Sequence, residues 1–205
     1  MKEYENKLYE LGYKSIAGLD EAGRGPLAGP LVVAICSFDK DYVNTNINDS
    51  KKLSEKKRND VFKQIINDAK LVDWIIYDAE YVDINNPKQT SINGMKELIN
   101  RHKSEIDYCL IDAEKINLSK IKTQSIIKGD SLSQSIAAAS IVAKVIRDKI
   151  MHELDKKYPN YNFSSNKGYG TKGHLEALVK YKPLKNIHRF SYKPIKKILD
   201  NKNNK

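Results

Sequence analysis

Two periodicities divide this chain. Five short runs are rich in branched and aromatic apolar residues at strand-like spacing: Ile16 to Leu19, Leu31 to Phe38, Leu71 to Tyr77, Tyr108 to Asp112 and Thr123 to Ile127. Leu31 to Phe38 (LVVAICSF) is apolar almost throughout, which predicts a strand covered on both faces. Between the runs, apolar residues recur at helical intervals. Tyr4 to Leu11 predicts a short amphipathic helix ended by Gly12. Ser54 to Ala69 predicts a second, with Ser54 as N-cap and Leu53, Val61, Ile65 and Ile66 at helix-like spacing. Asn85-Asn86-Pro87 breaks the chain before a third, Ser91 to Lys103.

Gly129-Asp130-Ser131 opens the strongest helix. Ser131 and Gln134 make a capping-box pattern ahead of the Ala-rich run from Ile136 to Ile150. After Tyr158-Pro159 the chain reads as a loop through Asn166 to Gly173, followed by a helix near His174 to Tyr181. Lys193 to Lys205 reads as a basic tail, frayed beyond Leu199. Strands alternating with helices after an early strand pair predict a mixed α/β sheet flanked by helices.

Charge changes the picture. A formal net charge of +10 on 205 residues favours polyanionic partners, nucleic acid ahead of an acidic membrane; a merely lysine-rich surface is the bland alternative. Cys36 and Cys109 fall in apolar runs without metal-type spacing and read as buried thiols in a reducing compartment. The charged N-terminus has no apolar segment of secretory type, and no run is long enough to span a bilayer, so the expectation is a cytoplasmic protein without a membrane partner.

The candidate chemistry lies where apolar elements end. Ile16 to Pro30 (IAGLDEAGRGPLAGP) joins adjacent carboxylates, Asp20 and Glu21, to the tripeptide Gly23-Arg24-Gly25. Two glycines around an arginine let backbone N–H groups approach a phosphate or a ribose hydroxyl closely. Neighbouring carboxylates repel unless a cation lies beside them. Asp112 ends the short strand YCLID, and Asp148 lies on the long helix at the margin of its apolar stripe. Converging strand-end and helix-face acids make an oxygen-only donor set, which favours Mg²⁺ or Mn²⁺ over zinc. Each acid also has a plainer reading: Asp112 as a turn cap, Asp148 with Arg147 as a solvated helix surface, Glu21 as a partner of Arg24. The four histidines show no zinc-type spacing, and no nucleophile-elbow pattern is present.

Five blocks in order give the chain a resemblance to the bacterial type 2 ribonucleases H (ribonuclease HII): GLDEAGRGPLAGP, NDSKKLSEKKR, LID at Leu110 to Asp112, IIKGDSLSQSIAAASIVAKVIRD, and NKGYGT at Asn166 to Thr171. The resemblance runs from about Ile16 to Lys193. It implies a ribonuclease H-like fold, a central five-stranded mixed sheet flanked by helices with a small helical C-terminal part. Residues 1–180 would form the catalytic domain and residues 181–205 a basic segment, partly flexible at its end.

The resemblance also implies roles. Asp20, Glu21, Asp112 and Asp148 match the family's catalytic, metal-binding acids, with two Mn²⁺ or Mg²⁺ ions when substrate is bound. Gly23, Arg24 and Gly25 match the turn that recognises a 2′-hydroxyl, and Tyr169 the tyrosine that stacks on the next deoxyribose. Lys52, with Lys51, is a candidate phosphate contact; Lys180, Lys185, Lys193, Lys196 and Lys197 are candidates for backbone binding. The implied substrates are RNA–DNA hybrids and duplex DNA with embedded ribonucleotides, cut 5′ of the ribonucleotide by a monomer. One departure stands out: Ala113 follows the strand-end aspartate where the family usually has glycine, which constrains the turn carrying Asp112. Two rivals stay open at this point, another metal nuclease of the same fold (a junction resolvase or a type 3 ribonuclease H) and a non-catalytic nucleic-acid-binding protein.

Overall fold

The computed structural model describes residues 1–116 and 121–203, with side chains in the last helix through Asp200. The chain forms two compact units: Met1–Ala22, Val32–Ile75 and Ser91–Val145 make the first, and Gly23–Leu31, Ile76–Thr90 and Ile146–Lys205 the second.

Five strands, β1 (Ile16–Ala22), β2 (Leu31–Ser37), β3 (Leu71–Tyr77), β4 (Tyr108–Asp112) and β5 (Lys122–Ile126), form one mixed sheet in the order β3-β2-β1-β4-β5. β1 is antiparallel to β2 and parallel to β4, and β4 is parallel to β5. The five-stranded mixed sheet expected above is therefore present. Every residue of β2 is buried, as its unbroken apolar run requires.

In the first unit, α1 (Glu3–Glu10) packs through Leu8 against Ile16, Leu110, Ile126 and Ile136. The long α5 (Gln134–Lys157) begins in this unit. Gly18 is what lets it lie close to the sheet, because a Cβ there would stand 2.2 Å from the backbone of Ser135 and Ile136. The N-terminus of α5 corrects the capping expectation. Ser131 belongs to a 3-10 turn, Gly129–Ser131, and the Ser133 hydroxyl accepts the Ile136 N–H instead. Buried Glu5 of α1 then accepts hydrogen bonds from the Ser133 hydroxyl (2.6 Å) and the Ser135 N–H (3.0 Å), placing negative charge at the positive end of the helix.

α2 (Glu55–Asp68) starts at Ser54, whose hydroxyl accepts the Lys57 N–H as expected. α3 (Ala79–Asn85), capped by Asp78, was not legible in the sequence. α4 (Pro87–Arg101) begins four residues before the expected Ser91, because proline occupies the first helical position, where it needs no N–H partner.

The second unit has its own core of Leu27, Ala28, Met151, Tyr161, Phe163, Ala177, Leu178 and Ile195. Within the segment read as a loop, α6 (Phe163–Asn166) makes a single turn, and α7 (Lys172–Tyr181) starts two residues before the expected His174. α8 (Lys193–Asn203) continues past Leu199, and residues 204 and 205 lie outside the described residues. No described helix is long and apolar enough to cross a membrane.

Candidate active site

Strand register brings two of the four acids together. Gly18 pairs with Leu110 and Leu19 with Ile111 across parallel β1 and β4, so Asp20 and Asp112 follow side by side at the carboxyl ends of both strands. Alternation puts Gly18 and Asp20 on one face of β1, the face that α5 covers, and sends Glu21 to the other. Asp20 is 5% exposed and receives a hydrogen bond from the hydroxyl of Ser140, one helical turn beyond Ile136. Ser140 in turn shares a 2.9 Å hydrogen bond with Ser50. Burial, then the charges of Glu21 and Asp112, push the Asp20 carboxyl well above the usual carboxylate range. Buried acid beside like charge is the environment that a hard cation relieves.

Asp112 is steadied by backbone. Its Oδ1 accepts the Gly129 N–H at 2.7 Å. Burial raises its pKa, and the Gly129 N–H works against that rise. A further carboxylate, Asp130, is buried nearby and ion-paired with Lys51 Nζ at 3.1 Å. Although burial opposes the Lys51 charge, Asp130 and then Asp20 hold its pKa up. Lys51 is thus the lysine drawn toward the acids, although its side chain stays exposed; Lys52 next to it is exposed as well, its N–H donated to the Asp49 carbonyl.

Ala113, the departure noted in the sequence, has φ of +53° while its N–H is held by the Ile126 carbonyl. A left-handed alanine costs roughly 1–2 kcal/mol, and glycine would return part of that through a freer unfolded chain. Ala113→Gly is expected to raise stability by about 1 kcal/mol with activity retained, read as a higher midpoint in denaturant at unchanged slope. A lower midpoint would contradict this account of the turn.

The glycine-arginine-glycine turn belongs to the second unit, and two buried arginines shape it. Arg147 donates from Nε to the Pro30 carbonyl (3.0 Å) and from Nη2 to that of Ala28 (3.1 Å). Arg189 donates to the Gly29 carbonyl (2.8 Å from Nη2) and from Nη1 to that of Arg24 (3.2 Å), which also accepts the Tyr192 hydroxyl at 2.6 Å. Gly23 has φ of +107°, and a Cβ on it would stand 2.5 Å from both Arg147 Nε and the Pro30 carbonyl oxygen. Only glycine fits there. Burial, followed by the Arg189 charge, lowers the Arg147 pKa to about 10.

Tyr169 lies beside this turn: a Cβ on Gly25 would be 3.5 Å from its ring, which is 48% exposed. Asp148, next to Arg147 on α5, is 5% exposed, so the solvated-surface reading of this pair is corrected. Arg147 is buried because it turns inward to serve the carbonyls of residues 28 and 30.

The ribonuclease HII family model matches residues 17–195, nearly the whole chain. The chain belongs to the ribonuclease HII family. It is 51% identical to ribonuclease HII of Caldanaerobacter subterraneus subsp. tengcongensis over 97% of this chain and 81% of that protein. With ribonuclease HII of Mycoplasma capricolum it shares 53% identity over 89% and 88% of the two chains. Among solved structures, ribonuclease H2 from Pyrococcus horikoshii has the same fold, with a TM-score of 0.78 at 23% identity over 93% of this chain and all of that one. A Bst ribonuclease HIII determined in complex with Mn²⁺ matches with a TM-score of 0.72 at 19% identity over 96% and 73%.

Family membership makes this chain a ribonuclease H endonuclease and settles the choice among nucleases left open by the sequence. Among the described residues, no three Asp, Glu, His or Cys side chains form a ready-made metal cage. Magnesium-type sites need none, since one or two carboxylates suffice when water and substrate phosphate complete the shell. The carboxylate oxygens of Asp20 and Asp112, side by side at adjacent strand ends, fit such an ion. Ser140, Asp130, Arg147 and Arg189 were missed by sequence reasoning. Only the Gly-Asp-Ser turn before α5 carried a usable signal, for Asp130.

Proposed function

We propose that this protein hydrolyses the RNA strand of RNA–DNA hybrids and cuts duplex DNA on the 5′ side of embedded ribonucleotides, leaving 3′-hydroxyl and 5′-phosphate ends. The observation that carries this reading is the pair Asp20 and Asp112 at adjacent strand ends, in a chain of the ribonuclease HII family. Asp20, Glu21, Asp112 and Asp148 would together hold two Mg²⁺ or Mn²⁺ ions. Held there, such ions would supply a water-derived nucleophile at neutral pH and would stabilise charge on the leaving 3′-oxygen.

The remaining work falls to the chain itself. Ser140 and the Gly129 N–H orient Asp20 and Asp112, so neither acid must reorganise when substrate arrives. Lys51 lies toward the acids, where it meets a phosphate oxygen; Lys52, Lys180, Lys185, Lys193, Lys196 and Lys197 add salt-sensitive attraction for the strand. The turn Gly23-Arg24-Gly25 reads the 2′-hydroxyl. Its shape is preset by Arg147, Arg189 and Tyr192, and a deoxyribose there leaves the reading groups unpaired. Tyr169 stacks on the following deoxyribose, which makes an RNA–DNA junction the preferred site. Buried, unpaired Cys36 and Cys109 agree with work in a reducing cytoplasm, and one chain contains every group named, so a monomer suffices.

The test is a labelled DNA duplex with one ribonucleotide, beside an all-DNA duplex and a full hybrid, with Mg²⁺, Mn²⁺ or EDTA. Metal-dependent cutting just 5′ of the ribonucleotide is expected, and cutting of the all-DNA control would sink the 2′-hydroxyl reading. Tyr169→Ala is expected to slow cleavage of the single-ribonucleotide duplex by about tenfold or more, the worth of about 1.5–3 kcal/mol of apolar contact between the ring and the sugar. An unchanged rate would remove the stacking role.

A further inference from the structure

Two buried histidines of the second unit join backbone groups of opposite polarity. The Leu184 N–H donates to His188 Nδ1 at 2.9 Å. His188 Nε2 and His174 Nε2 are 3.1 Å apart, and His174 Nδ1 is 2.9 Å from the Tyr169 carbonyl oxygen. An amide N–H only donates and a carbonyl only accepts, so the ends fix the direction of the chain. One proton arrangement satisfies all three links: His188 Nε2–H donates to His174 Nε2, and His174 Nδ1–H donates to the Tyr169 carbonyl. Both rings are then neutral. A proton added to either ring sets two N–H groups against each other at one link.

The surroundings enforce neutrality. His174 is 1% and His188 2% exposed, and the rings of Tyr161 and Phe163 pack around both. Burial lowers the His174 pKa; burial and then the neighbouring His174 lower that of His188 to about 4. The titratable groups facing the pair are Tyr161, with Glu80, Asp83 and Lys185 around a cavity of about 500 Å³ beside His188. Asp83 is already engaged by the N–H groups of Phe190 and Ser191 and by the Ser191 hydroxyl.

The chain ends on the substrate-reading elements. His188 pairs with Ala28 in an antiparallel bridge, flanked by hydrogen bonds from the Gly29 N–H to the Ile187 carbonyl and from the Arg189 N–H to the Leu27 carbonyl. The Leu27 N–H is bonded to the Gly168 carbonyl, next to Tyr169. Residues 184–189 therefore touch the segment just after the glycine turn through Ala28, the turn itself through Arg189 on the Arg24 carbonyl, and the tyrosine loop through His174.

We propose that His174 and His188 form a neutral, direction-locked relay that positions Tyr169 against the Gly23–Gly25 turn and so sets the preference for a ribonucleotide followed by a deoxyribonucleotide. The inference rests on the Tyr169 reading above. Both histidines are positioning residues; neither reaches the reacting atoms.

The test compares kcat/KM for a single-ribonucleotide duplex with that for a uniform hybrid, as a ratio in which the common metal-dependent step cancels. Four variants are compared with the native protein: Tyr169→Ala, His174→Gln, His174→Asn, and Tyr169→Ala combined with His174→Gln. Glutamine keeps a contact to His188 but loses the donor at Nδ1, and is expected to lower the ratio about tenfold. Asparagine places an amide N–H where Nδ1 stands but gives up the link to His188, and is expected to restore the ratio in part; full restoration would remove His188 from the relay. In the Tyr169→Ala background, His174→Gln is expected to add nothing. A native ratio in His174→Gln, with Tyr169→Ala low, overturns the relay and spares the stacking role. A native ratio in Tyr169→Ala overturns both. Should glutamine prevent folding, long-range proton–nitrogen spectra of the native protein decide: protons on His174 Nδ1 and His188 Nε2 at about pH 7 support the relay, and the reverse tautomers refute it.

Discussion

Asp20→Asn is expected to reduce cleavage of every substrate by about 10³-fold or more, because the amide cannot hold a cation as a carboxylate does. Folding is expected to survive. Asparagine keeps an acceptor for the Ser140 hydroxyl, and it removes a buried charge that Glu21 and Asp112 oppose. Activity and stability should thus move apart: turnover falls while the thermal midpoint stays level or rises. The check is a paired measurement, turnover with Mg²⁺ and with Mn²⁺ beside a melting curve on the same preparation. Near-native turnover would remove Asp20 from the catalytic set. Loss of turnover together with a much lower midpoint would mean that its role is structural.

Gly18→Ala is expected to do the reverse, damaging the fold first and the chemistry as a consequence. The added Cβ would stand 2.2 Å from the Ile136 nitrogen and the Ser135 carbonyl carbon, backbone atoms that no rotamer change can move. Helix α5 would have to lift from the sheet by more than an ångström. Overpacking of that kind costs about 3 kcal/mol or more, which at this chain length is a fall of roughly 10 °C in the thermal midpoint. Because Asp20 lies two residues beyond Gly18 on the same face, the lift also draws Ser140 away from it. Turnover should fall even well below the midpoint. A melting curve within about 2 °C of native would show that α5 is not seated on β1 through this glycine.

Much of the candidate site was legible because its chemistry is written in residue type at element ends. Two acids closing an apolar run, an aspartate ending YCLID and a glycine-arginine-glycine turn point to hard metal and ribose before any fold is known. Ala113 was legible too, and its φ of +53° gives the physical reason why glycine suits that position. Boundaries were less legible. Asn86-Pro87 reads as a break, yet the same proline is the first residue of α4, since a missing N–H breaks a helix interior but starts a helix without loss. Ser131 fits the capping pattern, yet the 3-10 turn at Gly129–Ser131 passes the cap to Ser133.

By itself, the sequence determined the buried central strand and the alternation of strands and helices that a mixed sheet requires, both through periodicity and residue type. Its five motif blocks, taken in order, carry the membership of this chain in the ribonuclease HII family. Only the tertiary structure decided that Asp20 and Asp112 stand side by side, that Arg147 and Arg189 are interior, and that two histidines share a directed chain of hydrogen bonds. Arginine is an exposed residue by composition, but carbonyls 117 and 160 positions away in the chain draw these two inside. Glu5 likewise serves a hydroxyl 128 residues away. A buried polar group takes whatever partner the fold brings to it, and a pairing across that separation leaves no trace in the local pattern of the chain.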